Sequence, residues 1–353
     1  MKNGMKDWQK TGSGADGGSK GMEKKQKAFK VGILGAGNIA GSMAKALNGL
    51  AKAGEIVPWA VASRSLQKSE SFAEEWNFER AYGSYEELAA DEELDLIYIA
   101  TPHSLHFEHA ALCIGQGRNV LVEKAFTANA RQAEQLFQMA AEKKVFLAEA
   151  MWTRYMPSRQ MITKLLEEGA IGEVQRLEAV FSVPNYEKPR MHEPELCGGA
   201  LLDLGVYVLT SASIYMGDNV IRTESHCKLY ETGVDATDDI ILTYPGEKKA
   251  ILHTSMMEEK SNFVRITGSE GSLFWESNNN PRNVVLYSRE GMVQRKIELP
   301  VQINGYEYEV EACRRAIQAG QKECPEMPHG ETMVIMRQMD ALRKEWGIRY
   351  PFE

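Results

Sequence analysis

The sequence is poor in cysteine, has no long apolar run and carries no excess of positive charge. Its five cysteines form no Cys-x-x-Cys pair, which favours free, buried thiols in a reducing compartment over a disulfide framework or a structural zinc site. No stretch reaches the roughly 18 consecutive apolar residues that a membrane span needs. The sequence therefore predicts a cytoplasmic protein without a membrane partner.

The balance of charge is acidic, and it argues against one class of partner. The 353 residues carry a formal net charge of -8, whereas neutralising nucleic-acid phosphates requires a basic surface. We therefore expect no nucleic-acid partner. Residues 1–27 are rich in glycine and serine, end in a lysine-rich run and contain no apolar core of a secretory signal. This segment is expected to be a disordered tail.

Short strands alternate with helices from Phe29 to about Ala148. A strand at Phe29–Leu34 is followed by a glycine turn and a helix, and the run at Leu94–Ala100 is apolar almost throughout, as in a strand whose two faces are covered. Such alternation predicts right-handed βαβ units. We expect residues 28–149 to form a Rossmann domain with a doubly wound parallel sheet.

The pattern changes after Met151, where longer alternating strands are separated by turn signals such as Pro245-Gly246. One apolar helix, at about Gly199–Met216, interrupts these strands, and two helices close the chain. We expect residues 150–353 to form an α+β domain whose large, open, mostly antiparallel sheet is flanked by helices. The last helix, 331–346, is expected to pack back on the first domain.

A glycine-rich turn follows the first strand. The run Gly35-Ala36-Gly37-Asn38-Ile39-Ala40 fits the pattern G-x-G-x-x-A, in which Gly35 permits the tight turn and Gly37 leaves room for a pyrophosphate. The helix that begins at Asn38 and Ile39 offers backbone N–H groups to phosphate. Because the motif occupies the first βα turn, it predicts a dinucleotide site rather than a purely structural turn.

The end of the second strand informs the choice of dinucleotide. NAD sites usually have an acidic residue there for the ribose 2′-hydroxyl, but Ser63-Arg64-Ser65 contains no carboxylate. Ser63 and Ser65 have hydroxyl donors, and the guanidinium of Arg64 suits a 2′-phosphate. We therefore expect NADP. NAD is the alternative, in which Arg64 only stacks on the adenine.

A polar turn follows a later strand of the predicted parallel sheet, at the edge where such sheets bind ligands. It contains Thr101, Pro102 and His103, and His106 follows shortly after. No second cluster with metal-ligand spacing accompanies the histidines, so no metal is expected. Because a neutral imidazole both donates and accepts hydrogen bonds, we expect this turn to contact cofactor or substrate.

Three further side chains have the chemistry of alcohol oxidation. Lys124, after Glu123 at the end of a buried strand, is placed to hold a substrate oxygen and stabilise charge that develops there, unless it is only paired with Glu123. Asp203 and Tyr207 are four residues apart and share a helix face, which in the simpler interpretation only packs. If Lys124 lies near and lowers its pKa, Tyr207 can take a hydroxyl proton while Asp203 orients substrate or lysine.

These segments together resemble the Gfo/Idh/MocA oxidoreductases, and they occur in the order of that family. The resemblance covers the chain from about Phe29 to its end. Within the family, Glu149–Pro157, Gly198–Tyr207 and the terminal Tyr350-Pro351-Phe352 are similar to the branch of dihydrodiol dehydrogenase and glucose-fructose oxidoreductase. Two departures stand out: Ala125 replaces the usual proline after the lysine, which would loosen that turn, and Tyr207 replaces a common histidine, as in that branch.

The resemblance implies roles for particular residues. Lys124, Tyr207 and Asp203 would form the catalytic group, and Trp152 and Arg154 would line the cofactor or substrate cleft. The open sheet of such proteins often mediates dimerisation, so a homodimer or higher homo-oligomer is expected.

We therefore expect an NAD(P)-dependent oxidoreductase that transfers hydride reversibly to or from a secondary alcohol of a sugar, polyol or cyclic trans-diol. One alternative is a glycosidase that oxidises a sugar transiently and retains its cofactor. A second is a nucleotide-sensing regulator without catalysis. The substrate depends on the pocket, which loops such as Pro184–Pro194 and Ser277–Asn283 are expected to shape.

Overall fold

The computed structural model describes residues 28–259 and 262–353. The predicted tail, residues 1–27, lies outside the described residues.

Six parallel strands form the first sheet, in the spatial order β3-β2-β1-β4-β5-β6. The strands are β1 (Phe29–Leu34), β2 (Ile56–Ala62), β3 (Arg80–Tyr82), β4 (Leu96–Ile99), β5 (Val120–Glu123) and β6 (Leu147–Ala150). The helices between them are α1 (Asn38–Ala51), α2 (Leu66–Trp76), α3 (Tyr85–Ala90), α4 (His106–Gly115) and α5 (Ala130–Lys143). The chain leaves β1 in one direction for β2 and β3 and later returns to its other side with β4. A ligand crevice is expected where the direction reverses.

The burial of the strands explains why the sheet is parallel. Every residue of β4, β5 and β6 is buried, because helices cover both faces and allow near-continuous apolar runs. The doubly wound sheet predicted from the alternation is confirmed. The short strand β3 was not predicted, since three residues are too few to establish a periodicity.

Eight strands form the second sheet, in the spatial order β14-β13-β12-β11-β7-β10-β9-β8. They follow the helix α6 (Pro157–Glu167) and are β7 (Val174–Ser182), β8 (Arg222–Leu229), β9 (Asp235–Tyr244), β10 (Lys248–Ser255), β11 (Phe263–Gly268), β12 (Gly271–Glu276), β13 (Asn283–Ser288) and β14 (Val293–Glu298). Strands β7 and β10 run parallel and the other neighbouring pairs run antiparallel. The predicted open, mostly antiparallel sheet is confirmed.

The apolar helix that interrupts this sheet differs from its predicted form. A short helix, α7 (Pro189–His192), precedes it, and the segment then begins as a π-helical turn at Leu201–Gly205 before continuing as α8 (Val206–Met216). Helix α8 packs on β7 and β10. By length and composition Pro194–Met216 resembles a membrane span, contrary to our expectation from the sequence, but 94% of its most apolar window is buried inside the protein. Burial of this kind is what a core helix shows.

Two helices complete the fold, α9 (Glu307–Gln318) and α10 (His329–Trp346). Helix α10 packs against α5 and β6 of the parallel-sheet region and against α8 and β8 of the second region. The final helix thus connects the two regions through its packing contacts.

Candidate active site

The glycine turn after β1 has the geometry that a dinucleotide phosphate requires. Gly35 has φ +108° and donates its N–H to the carbonyl of Ala62, and a Cβ at Gly35 would lie 2.9 Å from the carbonyl oxygen of Ala100. Among the described residues, nothing lies within 4 Å of a Cβ built on Gly37. Gly37, Asn38 and Ile39 begin α1, whose first N–H groups receive no capping side chain from the described residues. These residues fit a bound pyrophosphate.

The turn after β2 holds its serines differently from the prediction. The hydroxyl of Ser63 donates to the carbonyl of Ser65 at 2.8 Å and accepts from the hydroxyl of Ser69 at 2.9 Å, while Ser65 caps α2. Ser63 is only 5% exposed. Ser63 is therefore not available as a ribose donor, which corrects the expectation for that residue, whereas Ser65 is exposed and its hydroxyl accepts from the N–H of Lys68. Arg64 is exposed at the same strand end, where its guanidinium can meet a 2′-phosphate.

The histidine turn after β4 is tied to the turn after β5. The two ring nitrogens of His106 lie 2.9 Å from the carbonyl oxygen of Ala125 and 2.8 Å from that of Thr101. Burial lowers the pKa of His106 to about 4, so the ring is neutral and donates to one carbonyl at a time. Ala125 is fully buried and His106 contacts its carbonyl, so tertiary contacts hold this turn in the absence of a proline ring. The peptide bond between Lys124 and Ala125 is cis.

Thr101 and Pro102 precede His103 in this turn. Pro102 is exposed, and Thr101 is held by His109, a residue that the sequence did not single out, through a 3.0 Å hydrogen bond. Burial lowers the pKa of His103 to about 3, so its ring is neutral beside Lys124. No group of three or more His, Cys, Asp or Glu within the described ranges is arranged to hold a metal ion.

Lys124 and Asp203 form the central ion pair of the site. The ammonium of Lys124 donates to the backbone carbonyl and to a carboxylate oxygen of Asp203, both at 2.9 Å, and their side chains are 12% and 9% exposed. Burial alone would lower the pKa of Lys124, but Asp203 and its neighbours raise it above its ordinary value, so the amine stays cationic. Lys124 is therefore not simply paired with Glu123, as the alternative interpretation had it.

Glu123 is buried next to the backbone of Lys124. Its carboxylate accepts from the hydroxyl of Tyr98 and from the backbone N–H of Lys124. Burial is the largest influence on its pKa, which is raised above the ordinary value. With 5% exposure, Glu123 supports the turn that presents Lys124, and a direct contact with cofactor is not what its position favours.

Tyr207 faces the same ion pair from α8. Its ring centroid lies 5.0 Å from the ammonium of Lys124, and its hydroxyl accepts a 2.8 Å hydrogen bond from the indole N–H of Trp152. Trp152 in turn stacks on Tyr306 at 4.7 Å. Burial raises the pKa of Tyr207 to about 12, more than Lys124 and Trp152 lower it. The expected lowering towards neutrality was wrong for the protein alone, because desolvation exceeds the effect of the lysine.

Arg154 was expected to line the cleft with Trp152, and the structure places it elsewhere. Its guanidinium forms an ion pair with Glu331 of α10 and donates to the hydroxyl of Ser213 on α8 at 3.0 Å. The side chain is 2% exposed. Arg154 therefore fastens α10 to α8, and no accessible surface is left for a cofactor.

A second cation that the sequence did not single out reaches Asp203. Arg190 of α7 lies 2.9 Å from the same carboxylate oxygen that Lys124 contacts, and its side chain is 43% exposed. Burial alone would raise the pKa of Asp203, but Lys124 and Arg190 hold it well below the ordinary carboxyl value. Arg190 could have been found from the sequence only through its position in the loop 184–194, which was expected to shape the substrate pocket.

These elements meet because β1, β4 and β5 are neighbours in one parallel sheet and end at the same edge. The glycine turn, the neutral histidine turn, the buried cation of Lys124 and the protonated phenol of Tyr207 therefore lie together at that edge. This set can bind a dinucleotide, hold a substrate oxygen and exchange a proton with it.

Comparison with known proteins agrees with this geometry. Residues 29–151 match the Gfo/Idh/MocA model described as an oxidoreductase family with an NAD-binding Rossmann fold, and residues 160–274 match the C-terminal domain of the same family. The two matches are to one family, and together they include the glycine turn, Lys124, Asp203 and Tyr207.

Two curated relatives have informative names. A trans-1,2-dihydrobenzene-1,2-diol dehydrogenase of Xenopus tropicalis is 35% identical over 92% of this chain and all of its own length. A D-xylose 1-dehydrogenase (NADP(+)) of Hypocrea jecorina is 33% identical over 92% of this chain and 93% of its own. Both names are those of dehydrogenases, which does not favour the glycosidase or the regulator.

A solved 3-ketoreductase of Actinomadura kijaniata, in complex with NADP and TDP-benzene, has a similar fold. It is 25% identical, with a TM-score of 0.81 over 90% of this chain and 97% of that one. Matching structures of the same enzyme include one with a lysine replaced by alanine and one with a tyrosine replaced by phenylalanine.

Proposed function

We propose that this chain, which belongs to the Gfo/Idh/MocA family of oxidoreductases, reversibly oxidises a secondary alcohol of a sugar, polyol or cyclic trans-diol with NADP. The observation that carries the proposal is the contact of Lys124 with Asp203 beneath the ring of Tyr207, at the strand ends that border the glycine turn. The names of the two dehydrogenases and the ketoreductase support the same reaction class.

Lys124, Asp203 and Tyr207 have different roles in the proposed reaction, and these roles follow from their protonation states. When bound, the dinucleotide supplies the acceptor or donor of hydride. Lys124 stays cationic and donates a hydrogen bond to the reacting oxygen, which stabilises negative charge as it develops. Asp203 keeps the lysine charged and fixes its direction. Tyr207 exchanges the proton of the substrate hydroxyl.

The protonation of Tyr207 favours one direction at neutral pH. With a pKa raised to about 12, Tyr207 carries its proton and is ready to donate it to a carbonyl oxygen that is being reduced. In oxidation it must first lose that proton, so the base form is scarce near neutrality. Carbonyl reduction is therefore proposed as the faster direction at neutral pH.

Three further properties are proposed from weaker support. NADP is favoured over NAD because Arg64 is exposed where a carboxylate would otherwise bind the ribose. A reducing, cytoplasmic location is supported by five cysteines that all remain free thiols. A homodimer is supported by the family and by exposed Ile221 and Leu229, which lie beside and on the edge strand β8.

The experiment that tests the reaction pairs active-site variants with matched controls. Lys124→Met and Tyr207→Phe should each lower kcat by a factor of about 100 or more, whereas Lys45→Met and Tyr308→Phe, outside the crevice, should keep wild-type turnover. Native mass spectrometry and titration with NADPH and NADH then show whether the variants still bind nucleotide. Near-wild-type turnover of both active-site variants, or a wild-type protein that binds neither nucleotide, would overturn the proposal.

A further inference from the structure

Arg190 shares its acceptor with the proposed catalytic lysine. Its guanidinium and the ammonium of Lys124 both lie 2.9 Å from one carboxylate oxygen of Asp203. The two nitrogens are therefore no farther apart than twice that distance. A guanidinium has five N–H donors, and among the described residues Asp203 is the only ion-pair partner of Arg190. The half-exposed side chain has further donors to offer beside Lys124.

The loop that carries Arg190 is held firmly in place. Met191, the next residue, is fully buried, and its carbonyl accepts the N–H of Gly199 at 2.8 Å. A Cβ at Gly198 would lie 2.8 Å from that carbonyl oxygen, so glycine is required for this close approach. The N–H of Gly198 donates to the carbonyl of Glu193 at 3.0 Å. The loop is thereby fastened to the start of the segment that carries Asp203, which positions the backbone of Arg190, while the ion pair with Asp203 directs its guanidinium.

The charged groups around Asp203 favour substrates with oxygen atoms that accept hydrogen bonds. Two cations surround one carboxylate, and His103, which also faces this pair, is neutral. Guanidinium groups donate in a planar fork and accept nothing, so they suit a second oxygen next to the one that the lysine holds. In a mono-alcohol that second oxygen is missing, and the oriented donor loses its partner.

We propose that Arg190 is a specificity-determining residue that binds the oxygen on the carbon adjacent to the reacting one. The preferred substrates are then vicinal diols, including adjacent hydroxyls of sugars, and the corresponding α-hydroxy carbonyl compounds. The inference rests on the proposed function and assigns the substrate class of that same site. Because a hydrogen bond to a charged group is involved, the adjacent oxygen should improve kcat/KM about tenfold to hundredfold.

A merely electrostatic role for Arg190 predicts something different. If Arg190 acted only by holding Asp203 ionised, its loss would lower turnover of every alcohol by the same factor and shift the pH profile. If it binds the adjacent oxygen, its loss lowers turnover of the diol far more than that of the mono-alcohol. The ratio of the two kcat/KM values therefore separates the roles.

The test measures kcat/KM with NADP for two matched pairs: trans-cyclohexane-1,2-diol against cyclohexanol, and D-glucose against 2-deoxy-D-glucose. The wild-type enzyme should prefer the vicinal member of whichever pair it oxidises. Arg190→Met should reduce that preference at least tenfold, and Arg190→Lys should retain part of it. Lys188→Met, which removes an exposed cation of the same loop, should leave the preference intact.

The outcomes distinguish this inference from the proposed function. Turnover by Arg190→Met with an unaltered preference, or an equal loss on both members of a pair, overturns the assignment of Arg190 alone. Failure of the wild-type enzyme on all four alcohols, and on the ketones that correspond to them with NADPH, overturns the proposed function and this inference with it. Circular dichroism and NADPH binding identify a variant that has failed to fold; Arg190→Lys then carries the test.

Discussion

Replacing Asp203 with asparagine should destabilise the protein, because it leaves the buried ammonium of Lys124 without its counter-charge. Lys124 and Asp203 are 12% and 9% exposed, so the pair is buried, whereas the side chain of Arg190, at 43%, is already partly solvated. Removing one partner of a buried pair costs about 3–5 kcal/mol, and a half-exposed partner adds little. Asp203→Asn should therefore lower the free energy of unfolding by about 3 kcal/mol.

The pH dependence of this loss follows from the direction of the Asp203 pKa. Lys124 and Arg190 hold that pKa below its ordinary value in the folded protein. The stabilisation is then complete above the unfolded pKa of about 3.9 and disappears only as the pH falls through the folded pKa. The difference between wild type and Asp203→Asn should thus be constant from about pH 6 to pH 8 and shrink in acid.

Urea denaturation followed by tryptophan fluorescence measures the difference, with Asp218→Asn, an exposed carboxylate, as the control. Adding Lys124→Met to Asp203→Asn should recover part of the lost stability, because no uncompensated cation remains. Strictly additive losses in the double variant would refute the reasoning, as would an Asp203→Asn protein as stable as the control.

Three further predictions concern the crevice. Because the pKa of Tyr207 is about 12, kcat/KM for oxidation should rise with pH between about pH 7 and pH 9 while that for reduction stays flat; a flat oxidation profile would contradict this role. Arg64→Ala should raise the KM for NADP about tenfold or more and leave that for NAD within a factor of about two, and equal changes would count against the 2′-phosphate contact. Gly35→Ala should weaken NADPH binding measured by fluorescence titration, because alanine disfavours φ +108° and its Cβ would meet the carbonyl of Ala100; unaltered affinity and thermal stability would contradict this.

Features that depend on neighbouring residues in the chain could be predicted from the sequence. The helices Leu66–Trp76 and Ala130–Lys143 follow the capping residues Ser65 and Asn129 and have amphipathic spacing, and both features are local signals in the sequence. The strand Phe29–Leu34 and its glycine turn follow equally from local pattern. The three-residue strand β3 could not be predicted, since its strand character comes from pairing with β2 rather than from its own residues.

Site residues were harder to predict because polar side chains have more than one available partner. Ser63 and Arg154 have the donors of cofactor ligands, yet one closes a turn onto Ser65 and the other reaches Glu331, which is far along the chain. Arg190 is the opposite case: it reaches the site, although no recognisable motif marks its loop. Each of these partnerships depends on tertiary contacts that single-sequence spacing does not contain.

The π-helical turn around Asp203, where a regular α-helix was predicted, also results from a tertiary contact. A regular α-helix was predicted across this segment, but the backbone N–H of Leu201 donates to the carboxylate of Asp235, and Gly199, at φ +127°, approaches the same carboxylate closely. A long-range acceptor thus fixes the start of the segment, and the π turn absorbs the mismatch with α8. The widened turn lets the backbone carbonyl of Asp203, as well as its side chain, meet Lys124. Since π turns recur where function outweighs helical regularity, the irregularity itself supports the assignment of Asp203 to the active site.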